Sequence, residues 1–152
     1  MNMKFNSRGQ TIIEALVALS IILLVITSIS VVIISSLYNS QFIKEQNTAN
    51  KYSQQGMEFM RSFQKNNLDQ LVILASGTYC ISGDALMPCG TPQILGNHNR
   101  IIDLTKDALP CATGEMRVTV TTSWASSKCA SGTYCHESEI TSCLVYNSGV
   151  TP

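Results

Sequence analysis

Apolar residues fall along this chain in three textures. From Ala15 to Leu37 they run almost unbroken, Ile, Leu, Val and Ala with scattered Ser and Thr, and no charged residue interrupts them. The next set, Tyr38, Phe42, Ile43, Gln46, Ala49, Tyr52, Gly56, Phe59, Met60 and Phe63, recurs at steps of three and four, the signature of one helix face. Lys44, Glu45, Lys51, Glu58 and Arg61 mostly fall off that stripe. No proline occurs before Pro88, so the pattern predicts one helix from Gln10 to about Lys65, about 85 Å long at about 1.5 Å per residue. Gly56 weakens it locally by about 1 kcal/mol.

After Asn67 the texture breaks into short segments. Leu68 to Leu74 reads as the end of the helix or a short second one. Turn residues then crowd the chain at Ser76-Gly77, Ser82-Gly83-Asp84, Pro88, Cys89-Gly90, Pro92 and Gly96-Asn97. Ile81 to Leu109 therefore reads as loop with short strand pieces, and His98 and Arg100 as solvated loop residues. The clearest strand is Met116 to Trp124, where Met116, Val118, Val120 and Thr122 alternate with Arg117, Thr119 and Thr121. Glu139 to Tyr146 is the second. The hexapeptide ASGTYC occurs at Ala75–Cys80 and again at Ala130–Cys135, and reads as two turns of one local build, each delivering a cysteine to a strand edge.

These elements predict an α+β protein: a long N-terminal helix, membrane-spanning in its first half and amphipathic in its second, packed on a small antiparallel β-sheet head. The expected divisions are residues 1–9, 10–38, 39–66 and 67–152. The 23 uncharged residues from Ala15 to Leu37 suffice to cross a bilayer core. Lys4 and Arg8 before them place the N-terminus in the cytoplasm and the head outside it.

Composition narrows the chemistry. The 152 residues carry no formal net charge, and basic residues gather into no stripe, so nucleic-acid binding is not indicated. All six cysteines, Cys80, Cys89, Cys111, Cys129, Cys135 and Cys143, lie in the head, where their even number suits disulfides formed outside the cytoplasm. No Cys-x-x-Cys pair occurs, and His98 and His136 are not spaced like finger ligands, which favours disulfides over a metal site. The pairing stays open. No nucleophile elbow, Walker loop, zinc-protease motif or dinucleotide fingerprint is present, so neither an enzyme nor a cofactor is expected. His136-Glu137 beside Cys135 is the nearest approach to a reactive cluster.

One residue does not suit a plain anchor. Glu14 stands at the mouth of the apolar run, where an isolated acid costs a few kcal/mol. The stretch Arg8-Gly9-Gln10-Thr11-Ile12-Ile13-Glu14 resembles the class III signal of type IV prepilins and pseudopilins: a short basic leader ending in Gly, a Glu at the fifth mature position, then the apolar helix. Gln10 departs from the pattern, standing where the family usually has Phe or Met. The resemblance implies cleavage between Gly9 and Gln10 by a prepilin peptidase, N-methylation of Gln10, and pairing of Glu14 with the terminal amine of a neighbouring subunit. It implies an inner-membrane protein that an assembly platform moves into a surface filament, with lipid and other pilin or pseudopilin subunits as partners. A strand carrying Val118, Val120 and Trp124 late in the head is similar to minor pilins of the V type and pseudopilins of the I type. The alternative expectation is a single-span anchor carrying an extracellular binding module.

Overall fold

The computed structural model of the protein describes residues 10–90, 93–126, 129–130 and 134–146. Helix α1 (Gln10–Asn66) is continuous, and α2 (Leu68–Ile73) follows after a single residue. The chain forms two compact units, residues 1–42 and 43–152.

In the first unit, α1 has neither proline nor glycine to interrupt it. Ser20, Thr27, Ser28 and Ser30 turn their hydroxyls back onto the carbonyls of Leu16, Leu23, Leu24 and Ile26, at 2.7–3.0 Å. Each of these four hydroxyls is thereby satisfied within the helix.

In the second unit, α1 and α2 precede six antiparallel strands: β1 (Gly77–Ser82), β2 (Ala85–Pro88), β3 (Gln93–Leu95), β4 (His98–Lys106), β5 (Glu115–Trp124) and β6 (His136–Val145). The sheet order is β2-β1-β4-β5-β6, with β3 also paired to β4. Strand β5 is flanked on both sides: Asp103 faces Thr119 on one side, and Thr141 faces Thr119 on the other. Its even-numbered residues are buried and its odd-numbered ones half-buried, which is the alternation read from the sequence.

Strand β4 departs from that reading. Nine residues expected to lie mostly in loop pair along their whole length with β5. The inward positions are His98, Arg100, Ile102 and Leu104, all buried. Two polar side chains at the start of the buried face hide a period-2 pattern that apolar residues would have shown. His98 and Arg100 are accordingly core residues, 3% and 7% exposed, not solvated ones.

The core joins Met57, Met60 and Phe63 of α1 and Leu71 of α2 to Tyr79, Ile102, Leu104, Met116, Val118, Val120 and Leu144 of the sheet. The buried stripe begins later than the sequence suggested. Tyr38, Phe42, Ile43 and Gln46 are exposed, Ala49 is the first buried member, and Ser53 and Met57 join it.

Gly56 is also buried, and it faces the middle of β5. A Cβ there would lie 2.7 Å from Val120 Cγ1 and 3.2 Å from Arg100 Cδ. Val120 is β-branched and fully buried, so it has little room to yield. The absent side chain sets the spacing between helix and sheet. Gly56→Ala is therefore expected to destabilise the head by about 1–3 kcal/mol through overpacking, net of the gain of about 1 kcal/mol in helix propensity. Chemical denaturation of the membrane-reconstituted chain measures it; a more stable variant would refute the packing account.

Candidate functional site

Two regions carry the unusual chemistry: the apolar half of α1 and the polar seam where α1 meets the head's sheet. In the first, seventeen large apolar side chains from Ile12 to Leu37 are each more than half exposed, on every side of the helix. Burying such a side chain is worth roughly 2 kcal/mol, so this surface favours lipid or other helices over water by tens of kcal/mol. The helix is long and apolar enough to cross a bilayer.

Glu14 is exposed in the second turn and carries the only charge between Gln10 and Ile43. Four hydroxyls along the same half bond to their own backbone, but a carboxylate has no proton with which to do so. Its charge therefore needs water, a headgroup or a cation from outside this helix. Gln10 opens α1, and Gly9, the other expected cleavage residue, lies outside the described residues.

The polar seam in the head is a feature the sequence reading missed. Ser53 is fully buried; its Oγ donates to the Ser138 carbonyl at 3.0 Å and lies 2.8 Å from the buried Thr122 Oγ1. Ser138 Oγ in turn donates to Asn50 Oδ1 at 2.6 Å. His98 Nε2 stands 3.3 Å from both the carbonyl and the carboxylate of Glu45, with its ring edge-on to Tyr52. Trp124 lies between His98 and His136, at ring distances of 6.1 and 5.4 Å. Arg100 donates from Nε and Nη2 to Gln93 Oε1, and from Nη1 to the Tyr52 carbonyl at 3.1 Å. Burial pulls its guanidinium below the ordinary arginine value, an effect that the electrostatic influence of nearby Tyr52 opposes. The signal in the sequence was the small-residue spacing Ala49, Ser53, Gly56 on the helix stripe, which opens room for polar side chains from the sheet.

All six cysteines are paired, as Cys80–Cys89, Cys111–Cys143 and Cys129–Cys135. Cys111–Cys143 closes the longest loop, 32 residues, and is worth roughly 3–4 kcal/mol on the chain-entropy account. Among the described residues two groups of potential ligands come together, Cys129 with Cys135 and His136, and Cys111 with Glu115 and Cys143. In each, both sulfurs are consumed by a disulfide and offer no thiolate to a metal. The same pairing removes Cys135 as a nucleophile beside His136.

The two hexapeptide copies part company where both are described. Tyr79 is buried within β1, its hydroxyl donating to the Ala75 carbonyl at 2.8 Å. Tyr134 and Cys135 are exposed and precede β6. Residues 131–133 lie outside the described residues.

Beyond β4 the chain turns at Asp107, a non-glycine residue with φ 51°. Its carboxylate accepts from the Gly114 N–H at 2.8 Å and the Tyr146 hydroxyl at 2.7 Å. The Gly114 bond, then the Tyr146 bond, hold the Asp107 carboxyl below its ordinary value, and Asp107 holds the Tyr146 phenol above its own. No family model, curated protein or solved structure matches the chain.

The Asp107 pair gives a pH signature. A carboxyl with a depressed folded pKa stabilises the fold above its unfolded value, and that share is lost as pH falls through the folded one. The tyrosine's share is present below its ordinary value and is lost as pH rises through the raised one. Asp107→Asn keeps a residue that tolerates positive φ but removes the titration. It is expected to flatten the loss of thermal stability as pH falls below the ordinary aspartate value, with parallel slopes in the two chains counting against the assignment.

Proposed function

We propose that this chain is a structural subunit, not an enzyme, of a type IV pilus or a related pseudopilus, in the manner of a minor pilin or pseudopilin. Prepilin peptidase removes residues 1–9, leaving Gln10 as an amino terminus that is then N-methylated. The apolar half of α1 holds the subunit in the inner membrane with its head outside, and an assembly platform transfers it into a filament. There the same apolar surface packs against the equivalent helices of other subunits.

The observation that carries this reading is the single carboxylate, Glu14, in the second turn of a helix otherwise exposing only uncharged side chains as far as Ile43. In lipid such a charge is costly; across an interface with a neighbour's terminal amine it is neutralised. Many apolar side chains make the helices cohere, but apolar packing alone tolerates sliding by a turn. One charge pair selects a single axial register. Further support comes from the disulfide-rich head, which suits an extracytoplasmic setting.

Two measurements test the proposal. Mass spectrometry of the mature protein is expected to find a chain beginning at Gln10; an intact Met1, or a cut beyond Ser28, would instead favour a single-span anchor carrying a binding module. Glu14→Ala is expected to stay in the membrane yet fall by more than about a hundredfold in sheared filaments, from the roughly 3–5 kcal/mol that unpairing a buried charge costs. Wild-type amounts of the variant in filaments would end the role given to Glu14.

A further inference from the structure

The face of the sheet turned away from α1 carries a depression that the assembly reading does not use. Its floor is one row of the sheet: Asp103 of β4 opposite Thr119 of β5, and Thr119 opposite Thr141 of β6. Glu139 stands one row to one side of it, Thr105 and Arg117 one row to the other, and Pro110 forms a wall. The volume is about 420 Å3, within the range of small-molecule sites. Two links fix the wall: Arg117 Nη1 donates to the Leu109 carbonyl at 2.9 Å, and Cys111 is bonded to Cys143 on the same face of β6.

The polar groups are ordered among themselves but not used up. Thr119 and Thr141 share a hydrogen bond of 3.1 Å, and Thr141 reaches Glu139 Oε1 at 3.2 Å. Thr78 donates to Asp103 Oδ1. Asp103 Oδ2 and Glu139 Oε2 keep accepting capacity, and Arg117 keeps the donors other than the one on Leu109.

This arrangement discriminates among ligand classes. The two carboxylates sit on strands separated by β5, roughly 10 Å apart by sheet spacing, so no single cation is shared between them. Two carboxylates against one guanidinium repel an anion. The depression presents side-chain donors and acceptors rather than an open strand edge, which suits no added peptide strand. What matches is a neutral molecule bearing several hydroxyls over about 10 Å, each able to donate and accept at once. We propose that this depression binds a short neutral saccharide, with Asp103 and Glu139 accepting from hydroxyls at its two ends, Thr119 and Thr141 beneath it, and Arg117 donating at the walled side.

The test is ligand-observed saturation-transfer NMR on the full chain in phosphocholine bicelles, with cellobiose and lactose as probes. Saturable binding in the millimolar range is expected for at least one of them. Asp103→Asn and Arg117→Ala are each expected to weaken it by about tenfold or more, while Lys51→Ala on α1 leaves it unchanged. Because Arg117→Ala also releases the Leu109 carbonyl, the near-isosteric Glu139→Gln serves as the second lining variant, with the same weakening expected. No saturable signal from either disaccharide would overturn the proposal. Equal signals in the wild type and all three lining variants would overturn it too, as would complete displacement by putrescine, which would mark the depression as an amine site.

Discussion

The head depends on a missing side chain. At Gly56 the backbone of α1 comes close enough to β5 that Val120 Cγ1 occupies the space a Cβ would need. That approach seals the apolar cluster around Met57, Met60 and Phe63 and brings the Arg100 stem against the helix. It also determines what fits beyond it. With Ala49 and Ser53 on the same stripe, α1 presents small side chains at its closest approach, and Trp124, Thr122, His98 and Arg100 fill the gap from the sheet. Most of the bulky groups in that part of the seam come from the sheet, with Tyr52 of α1 meeting the His98 ring edge-on. Several buried polar groups then find partners on the helix: the Tyr52 carbonyl for Arg100, Ser53 and Asn50 for Thr122 and Ser138, and the carbonyl and one carboxylate oxygen of Glu45 for His98.

That inversion explains which parts of the fold could be read from the chain. Strand β5 announced itself because Met116, Val118 and Val120 alternate with polar residues over a face that is apolar for most of its length. The helix was legible because nothing breaks it, and the disulfides because six cysteines crowd one polar segment. Strand β4 was obscured, since its first two inward residues are a histidine and an arginine, which pattern reading assigns to solvent. Their burial depends on acceptors on α1 some fifty residues earlier, a tertiary fact with no local trace. The repeated hexapeptide shows the opposite failure: the same six letters have a buried tyrosine in one copy and an exposed one in the other. Of the residues expected to matter for function, the cysteines acquired definite partners, whereas the importance of Glu14 and of the Gly9–Gln10 bond rests on the sequence pattern, because their chemistry involves molecules other than this chain.

The two units solve the polar-group problem in different ways. In the apolar half of α1, the hydroxyls of Ser20, Thr27, Ser28 and Ser30 fold back onto carbonyls of the preceding turn and ask nothing of their surroundings. Such a surface is indifferent to rotation about its axis, which suits lipid as readily as neighbouring helices. In the head, polar side chains reach across from one element to another, so each bond also fixes position. A small number of such bonds is enough to choose one packing among several that apolar contact alone would permit.

The placement of the cross-links has a mechanical consequence. Cys80–Cys89, Cys111–Cys143 and Cys129–Cys135 all join strands and loops of the head to one another, and the first 79 residues hold no cysteine. Nothing covalent ties α1 to the sheet except the chain leading out of its C-terminal end. Tension applied along the helix would thus be borne by close packing at Gly56 and by hydrogen bonds in the seam, while the stapled sheet stays whole.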